Sequence, residues 1–451
     1  MNHTQRTVED FFDNEYREYA IYTVENRAIP SLVDGFKPSQ RKIAFAANKL
    51  WKTGNEKPLK VFQLGGQAAA MSFFHHGSLD GTIIGMTQSF KNSMPIFEGI
   101  GQFGSLRSPT AGAPRYVGVK FNENFRLLYK DFDLVEQQFE EGEEIEPKFF
   151  LPIIPTVLLN GGSGIAVGFA TNILNRNPVD VIDACIDVLS GKKCQTLKPW
   201  IFGFRGDVLP VENMPKSWGF YGKFEVKNTS TVEITEIPPG FTYEKYESYL
   251  DSLQEKGKIS SYDDHSSEYP HYVLRFPRAV LATLIEKDQL SHLLKMREQE
   301  GENFTVLDEN CKIKAFDTAE DLLAYFVNFR LGYYQKRKDL IIHQLESEIK
   351  TLDVKAKFLS AVIEKRINVM NVPKQDIVEK IYELGIVNRG ESCDFLLSMP
   401  IYTLTLEKYR ELLDKKTDKE NELNIVISTK PIDMYMKDLK ELKQKIKKSF
   451  R

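Results

Sequence analysis

The chain has 451 residues, 42% apolar and 27% charged, enough for two to four globular domains; no apolar run approaches the roughly 18 residues of a membrane-spanning helix. Met1 to Arg6 leads straight into polar sequence, so no secretory signal is expected, and Cys185, Cys194, Cys311 and Cys393 are scattered, which argues against a zinc site or disulfide framework and predicts a reducing, cytoplasmic setting. The net charge of −3 conceals segregation, with eight Lys or Arg against two acids between Arg27 and Lys60, then six glutamates and no base between Glu136 and Glu146.

From about residue 10 to 170 the pattern is mixed but helix-rich. Ser39 to Leu50 reads as an amphipathic helix, with Ile43, Ala46 and Leu50 on one face and Arg41, Lys42 and Lys49 on its flank. Lys37-Pro38-Ser39 supplies its start, and the basic flank suits phosphate or major-groove contact. Val179 to Leu189 predicts a helix opened by Pro178. Phe202 to Val208, Gly219 to Val226 and Thr231 to Ile237 are short, turn-bounded and β-rich. Tyr243 to Gln254 returns to a helical period. Beyond about 326 the signal is long helix: Leu345, Ile349, Leu352, Ala356, Leu359 and Ile363 form a seam, ending by Asn371-Val372-Pro373. Thr405 to Ile427 predicts a return helix, and Ile432, Tyr435, Leu439, Leu442 and Ile446 a last amphipathic one. The fold class expected is α+β and helix-rich, with segments 1–170, 171–325 and 326–451.

Chemistry concentrates in the first segment. Arg115-Tyr116 sets a guanidinium beside a phenol, which favours the phenolate over a hydroxyl whose ordinary pKa is about 10. Around it stand the run Arg27 to Lys42 (RAIPSLVDGFKPSQRK), then Phe74-His75-His76-Gly77 and Gly99-Ile100-Gly101-Gln102-Phe103-Gly104. Pro152-Ile153-Ile154-Pro155 and Leu159 to Gly168 (LNGGSGIAVG) follow. The glycine run lacks the lysine of a P-loop, and two adjacent histidines without a third ligand nearby make a poor metal site.

In this order and spacing the set resembles the breakage-reunion region of type IIA DNA topoisomerases, across the whole chain. The resemblance implies a winged-helix cleavage domain (1–170) with Tyr116 on its wing-side loop and a tower domain (171–325). A coiled-coil arm with a dimerising C-gate globule (326–451) would follow, without the C-terminal DNA-wrapping domain of the gyrase cleavage subunits. It implies that Tyr116 bonds to a DNA 5′ phosphate while Arg115, Arg27, His76 and His75 stabilise charge. Asp34, Lys37, Arg41 and Lys42 would position the duplex, Asp34 orienting a base, and Ile165 would wedge between base pairs. Neither an ATPase region nor a Toprim acidic signature is found, and Asp131-Phe132-Asp133 reads as structural. Mg²⁺ and ATP are therefore expected on partner subunits carrying the ATPase and Toprim parts. The other partners expected are double-stranded DNA and a second copy of the chain, in the host cytoplasm if phage-encoded. Two alternatives compete: a non-catalytic DNA-bending protein on the same fold, and another tyrosine-nucleophile enzyme such as a recombinase or nickase.

Overall fold

The computed structural model describes residues 7–51, 57–74, 77–105 and 108–447. It divides into a unit of residues 1–330 with 436–451 and a second of residues 331–435. The architecture mixes helices with several small antiparallel sheets.

In the larger unit, Pro at the first turn of Pro38–Leu50 and the Gln40 side chain, whose Oε1 accepts from Lys37 N–H at 2.9 Å, fix the start of that helix. Its Ile43, Ala44, Ala46 and Ala47 are fully buried, whereas Leu50 at the last turn is exposed, so the predicted apolar face stops one turn short. Beside it lie Val61–Met71, Asp80–Thr87 and a three-stranded sheet ordered Leu59–Lys60, Gly118–Phe121, Phe97–Ile100. Aromatic rings fill the space beneath. Phe97 stacks on Phe121, Phe121 on Phe125 and Phe36 on Tyr129 at centroid distances of 5.5, 4.1 and 5.3 Å.

The glycine-rich run forms a hairpin, Gly162–Ile165 against Ala170–Ile173. Farther on, Asp207–Pro210, Ser217–Tyr221 and Arg297–Gly301 make one sheet, the first strand starting later than Phe202 because Gly203 turns there at φ +83°. Lys223–Asn228, Thr231–Glu236, Tyr272–Arg275 and Ser261–Asp264 make a four-stranded sheet. Tyr243–Glu255 and Arg278–Glu286 cover it, with Val232, Ile234, Tyr246, Leu250, Tyr272 and Leu281 in the core between. Asp131 serves structure: it takes a left-handed conformation and binds the buried Arg330 guanidinium.

A 45-residue helix, Ala319–Ile363, runs from one unit into the other. It ends at Ile363, before Asn371, because Lys365 adopts φ +58°. In the smaller unit Ala356 and Leu359 meet Leu412 of the return helix Leu406–Ser428, whose N-terminus Thr405 caps through its hydroxyl. Short helices at Lys374–Glu383 and Asp394–Leu397 enclose their own core around Phe358, Ala361, Ile377 and Ile381. The last helix, Pro431–Ile446, buries Tyr435, Leu439, Leu442 and Ile446; its Lys443 binds Asp183 Oδ2 at 2.7 Å inside the larger unit.

Candidate nucleic-acid interface

Tyr116 sits on the tight turn that leads into Gly118–Phe121, its N–H donating to the Ala113 carbonyl at 2.8 Å. Phe62 N–H donates to the Pro114 carbonyl at 3.2 Å and Lys60 Nζ to the Tyr116 carbonyl at 2.7 Å, so the turn is pinned by the start of the helix Val61–Met71. The ring itself stands out, 69% exposed, with the Arg115 guanidinium 5.2 Å from its centroid. A tyrosine that is to act as a nucleophile must be reachable and gains from a cation nearby; this ring is exposed with a guanidinium beside it. Lys60 escaped the sequence reading as a site residue, although it closes the basic run counted from Arg27.

Arg27, Lys37 and Ile165 come together on a second surface. They line an open cleft of about 390 Å³, with Tyr19 and Thr23 of the N-terminal helical run as its other wall. Lys37 Nζ donates to the Ser163 carbonyl at 2.8 Å, which moors the hairpin, and burial pushes its ammonium below the ordinary lysine range. Gly164 is required here: a Cβ would sit 2.1 Å from the Ala28 carbonyl oxygen, so only glycine lets the hairpin lie against Arg27-Ala28. Ile165 at the hairpin end is 88% exposed, which rules out the buried-strand reading. An exposed isoleucine thus stands beside the Arg27 and Lys37 cations at the mouth of this cleft. His75 and His76 lie outside the described residues.

Three expected DNA contacts need correction. Asp34 is fully buried; its carboxylate takes Arg41 Nε at 2.7 Å and the Phe36 and Phe150 N–H groups at 3.0 Å each. It organises the turn and cannot orient a base. Gly35 beside it adopts φ +69°, where a Cβ would meet Thr156 Oγ1 at 2.7 Å. Arg41, 11% exposed, spends its guanidinium on Asp34 rather than on open solvent. Lys42 turns inward to the Ser72 carbonyl at 2.8 Å and Glu146 at 2.6 Å. The acidic run supplies these partners by folding into a hairpin, Gln138–Glu140 with Glu143–Ile145, which also sets Glu144 on Lys49 at 2.8 Å. Of the expected cations, Arg27, Lys37 and Arg115 remain open to a polyanion among the described residues.

The profile of the DNA gyrase and topoisomerase IV family, describing the A-type chain of those enzymes, matches residues 27–441. The chain belongs to that family. It is 33% identical to the DNA topoisomerase medium subunit of Enterobacteria phage T4, over 98% of this chain and 100% of the phage protein. It is 32% identical to the mitochondrial DNA topoisomerase 2 of Dictyostelium discoideum, matching 98% of this chain but 35% of that enzyme. The crystal structure of the Plasmodium falciparum topoisomerase II DNA-binding, cleavage and re-ligation domain superposes with a TM-score of 0.85 at 31% identity, covering 97% of this chain and 64% of that one. The mixed helix and sheet fold is thus that of a type II topoisomerase cleavage domain, and the chain spans about a third of the Dictyostelium enzyme.

Proposed function

We propose that this chain is the DNA-cleaving component of an ATP-dependent type II topoisomerase, with Tyr116 as the nucleophile. The observation that carries this reading is the exposed Tyr116 ring beside Arg115, on a chain that matches the family across both units. Tyr116 Oη attacks the phosphorus of a backbone phosphodiester, an Oη–P bond forms at the 5′ side, and the bond to the 3′ oxygen breaks. The phenol proton leaves with attack, and the 3′ oxygen ends as a hydroxyl. Reversal restores the strand, so the bond energy is kept rather than lost to hydrolysis. Arg115, Arg27 and His76, with His75 as the competing histidine, stabilise the charge that builds on phosphorus. Lys37 holds backbone phosphates, and Ile165 enters the stack and bends the duplex. Arg41 and Lys42 keep a lesser role, setting the shape of this surface.

Double-strand cleavage requires two such tyrosines, one per strand, and therefore a second copy of the chain. Met370, Phe395, Tyr402 and Leu406 of the small unit are exposed apolar or aromatic side chains, and we place the C-terminal gate contact among them. Among the described residues no three His, Cys, Asp or Glu side chains gather to hold a metal ion. We place Mg²⁺ on a partner subunit together with ATP, as the family resemblance implies; the metal would supply Lewis-acid assistance to phosphoryl transfer there. The segments 1–170, 171–325 and 326–451 would act as cleavage domain, tower, and arm with gate, in the cytoplasm of the host if phage-encoded. Tyr116→Phe tests the reading: it removes only the nucleophilic oxygen, so DNA binding persists while cleavage is lost. Cleavage retained in that variant would remove Tyr116 from the role.

A further inference from the structure

We infer that the segment Glu302 to Leu307 is a spar coupling the bend made at Ile165 to the Arg27–Lys37 segment, with the buried Arg176–Glu302 pair setting its angle. This rests on the reading of Ile165 as a wedge. A two-stranded hairpin is floppy by itself and cannot hold a bent duplex unless braced. Here the brace is explicit. Asn303 exchanges backbone hydrogen bonds with Asn172 of the hairpin, at 2.8 and 3.0 Å, and Asn172 Nδ2 donates to the Gly301 carbonyl at 2.7 Å. At the other end Leu307 N–H donates to the Pro30 carbonyl at 3.0 Å, and the Leu307 carbonyl accepts from Leu32 N–H at 2.8 Å. Pro30 and Leu32 lie between Arg27 and Lys37. The extended stretch from Asn303 to Leu307, about 13 Å long at roughly 3.3 Å per residue, therefore ties the hairpin to the Pro30–Leu32 backbone in addition to the direct contacts at Lys37 and Gly164.

Glu302 anchors the spar. Its Oε1 accepts from Leu174 N–H at 3.0 Å and Arg176 Nη1 at 2.8 Å; its Oε2 accepts from Arg176 Nη2 at 2.7 Å and Trp218 Nε1 at 2.8 Å. Both charged side chains are 1% exposed. Hairpin base, spar and the sheet holding Trp218 thus converge on one carboxylate. A buried ion pair adds little net stability over apolar packing, but a bidentate fork fixes orientation, which is what a lever joint needs.

The test uses the chain assembled with its ATPase and Mg²⁺-binding partner, reading duplex bending by end-to-end energy transfer and cleavage by covalent adduct. Trp218→Phe removes one donor and keeps an aromatic ring; Arg176→Lys keeps the charge and loses the fork. Each is expected to lower bending and cleavage together by about 2- to 10-fold, the size of one lost buried hydrogen bond. DNA affinity should stay near wild type. Should Arg176→Lys fold poorly, Trp218→Phe carries the test alone. The double variant Ile165→Ala/Trp218→Phe should cleave no worse than Ile165→Ala, because a lever without its tip transmits nothing. Additive losses, or wild-type bending in Trp218→Phe while Ile165→Ala bends less, would overturn the spar alone. Wild-type bending in Ile165→Ala would instead overturn the wedge, and the spar with it.

Discussion

Asp34 and Ile165 show how burial decides between roles that the residue type leaves open. Because the Asp34 carboxylate is enclosed and neutralises a largely buried Arg41, Asp34→Ala should cost about 3–5 kcal/mol through an uncompensated buried charge. Chemical denaturation measures this; an undiminished stability with altered base preference at the cleavage site would restore Asp34 as a base contact. Ile165→Ala, at an 88% exposed position, should cost under about 0.5 kcal/mol. A buried isoleucine would lose about 2–5 kcal/mol on the same substitution. Lys37 gives a pH signature. Its ammonium is pushed below the ordinary lysine range by burial, and phosphate favours the charged form. DNA affinity should therefore be fully present at neutral pH and fall as pH rises through the lowered Lys37 pKa, sooner than an ordinary lysine would cause. Lys37→Arg should abolish that alkaline loss in an anisotropy titration; an unchanged profile would show that another group titrates.

The helices were legible where a local signal set their ends. Lys37-Pro38-Ser39 opened one helix and Pro178 another, and each begins within a residue of its predicted start. Sheet-level features were not, because their partners are remote in sequence. Glu136 to Glu146 reads in sequence only as a charge run, yet folded back as a hairpin it takes Lys42 and Lys49 out of the phosphate-binding set. The Lys60 tie to Tyr116 spans 56 residues and the Arg176–Glu302 pair 126, and no spacing rule reaches that far. That Arg115 stands beside the Tyr116 ring was legible because the two are one dipeptide; that the ring is exposed was not. Lys60→Met should loosen the Tyr116 turn, lowering cleavage by about 2- to 10-fold with little change in DNA affinity. Equal losses in both would mean that Lys60 binds phosphate directly.

At the scale of the whole molecule, the smaller unit holds a core of its own around Phe358, Ala361, Ile377 and Ile381, with Met370, Phe395, Tyr402 and Leu406 exposed. The isolated chain should sediment as a dimer, and Tyr402→Glu, placing charge among those exposed side chains, should shift it toward monomer; a wild-type chain that is strictly monomeric at micromolar concentration contradicts the gate. The measurement that bears most directly on the account is covalent capture. The chain, its ATPase and Mg²⁺-binding partner, and duplex DNA labelled at either the 3′ or the 5′ end are mixed with Mg²⁺ and stopped with denaturant. The account predicts that the 3′ label travels with this chain, the 5′ label is released free, and Tyr116→Phe captures neither. Capture of the 5′ label, or of any label by the Tyr116→Phe variant, would contradict a 5′-phosphotyrosine link at Tyr116.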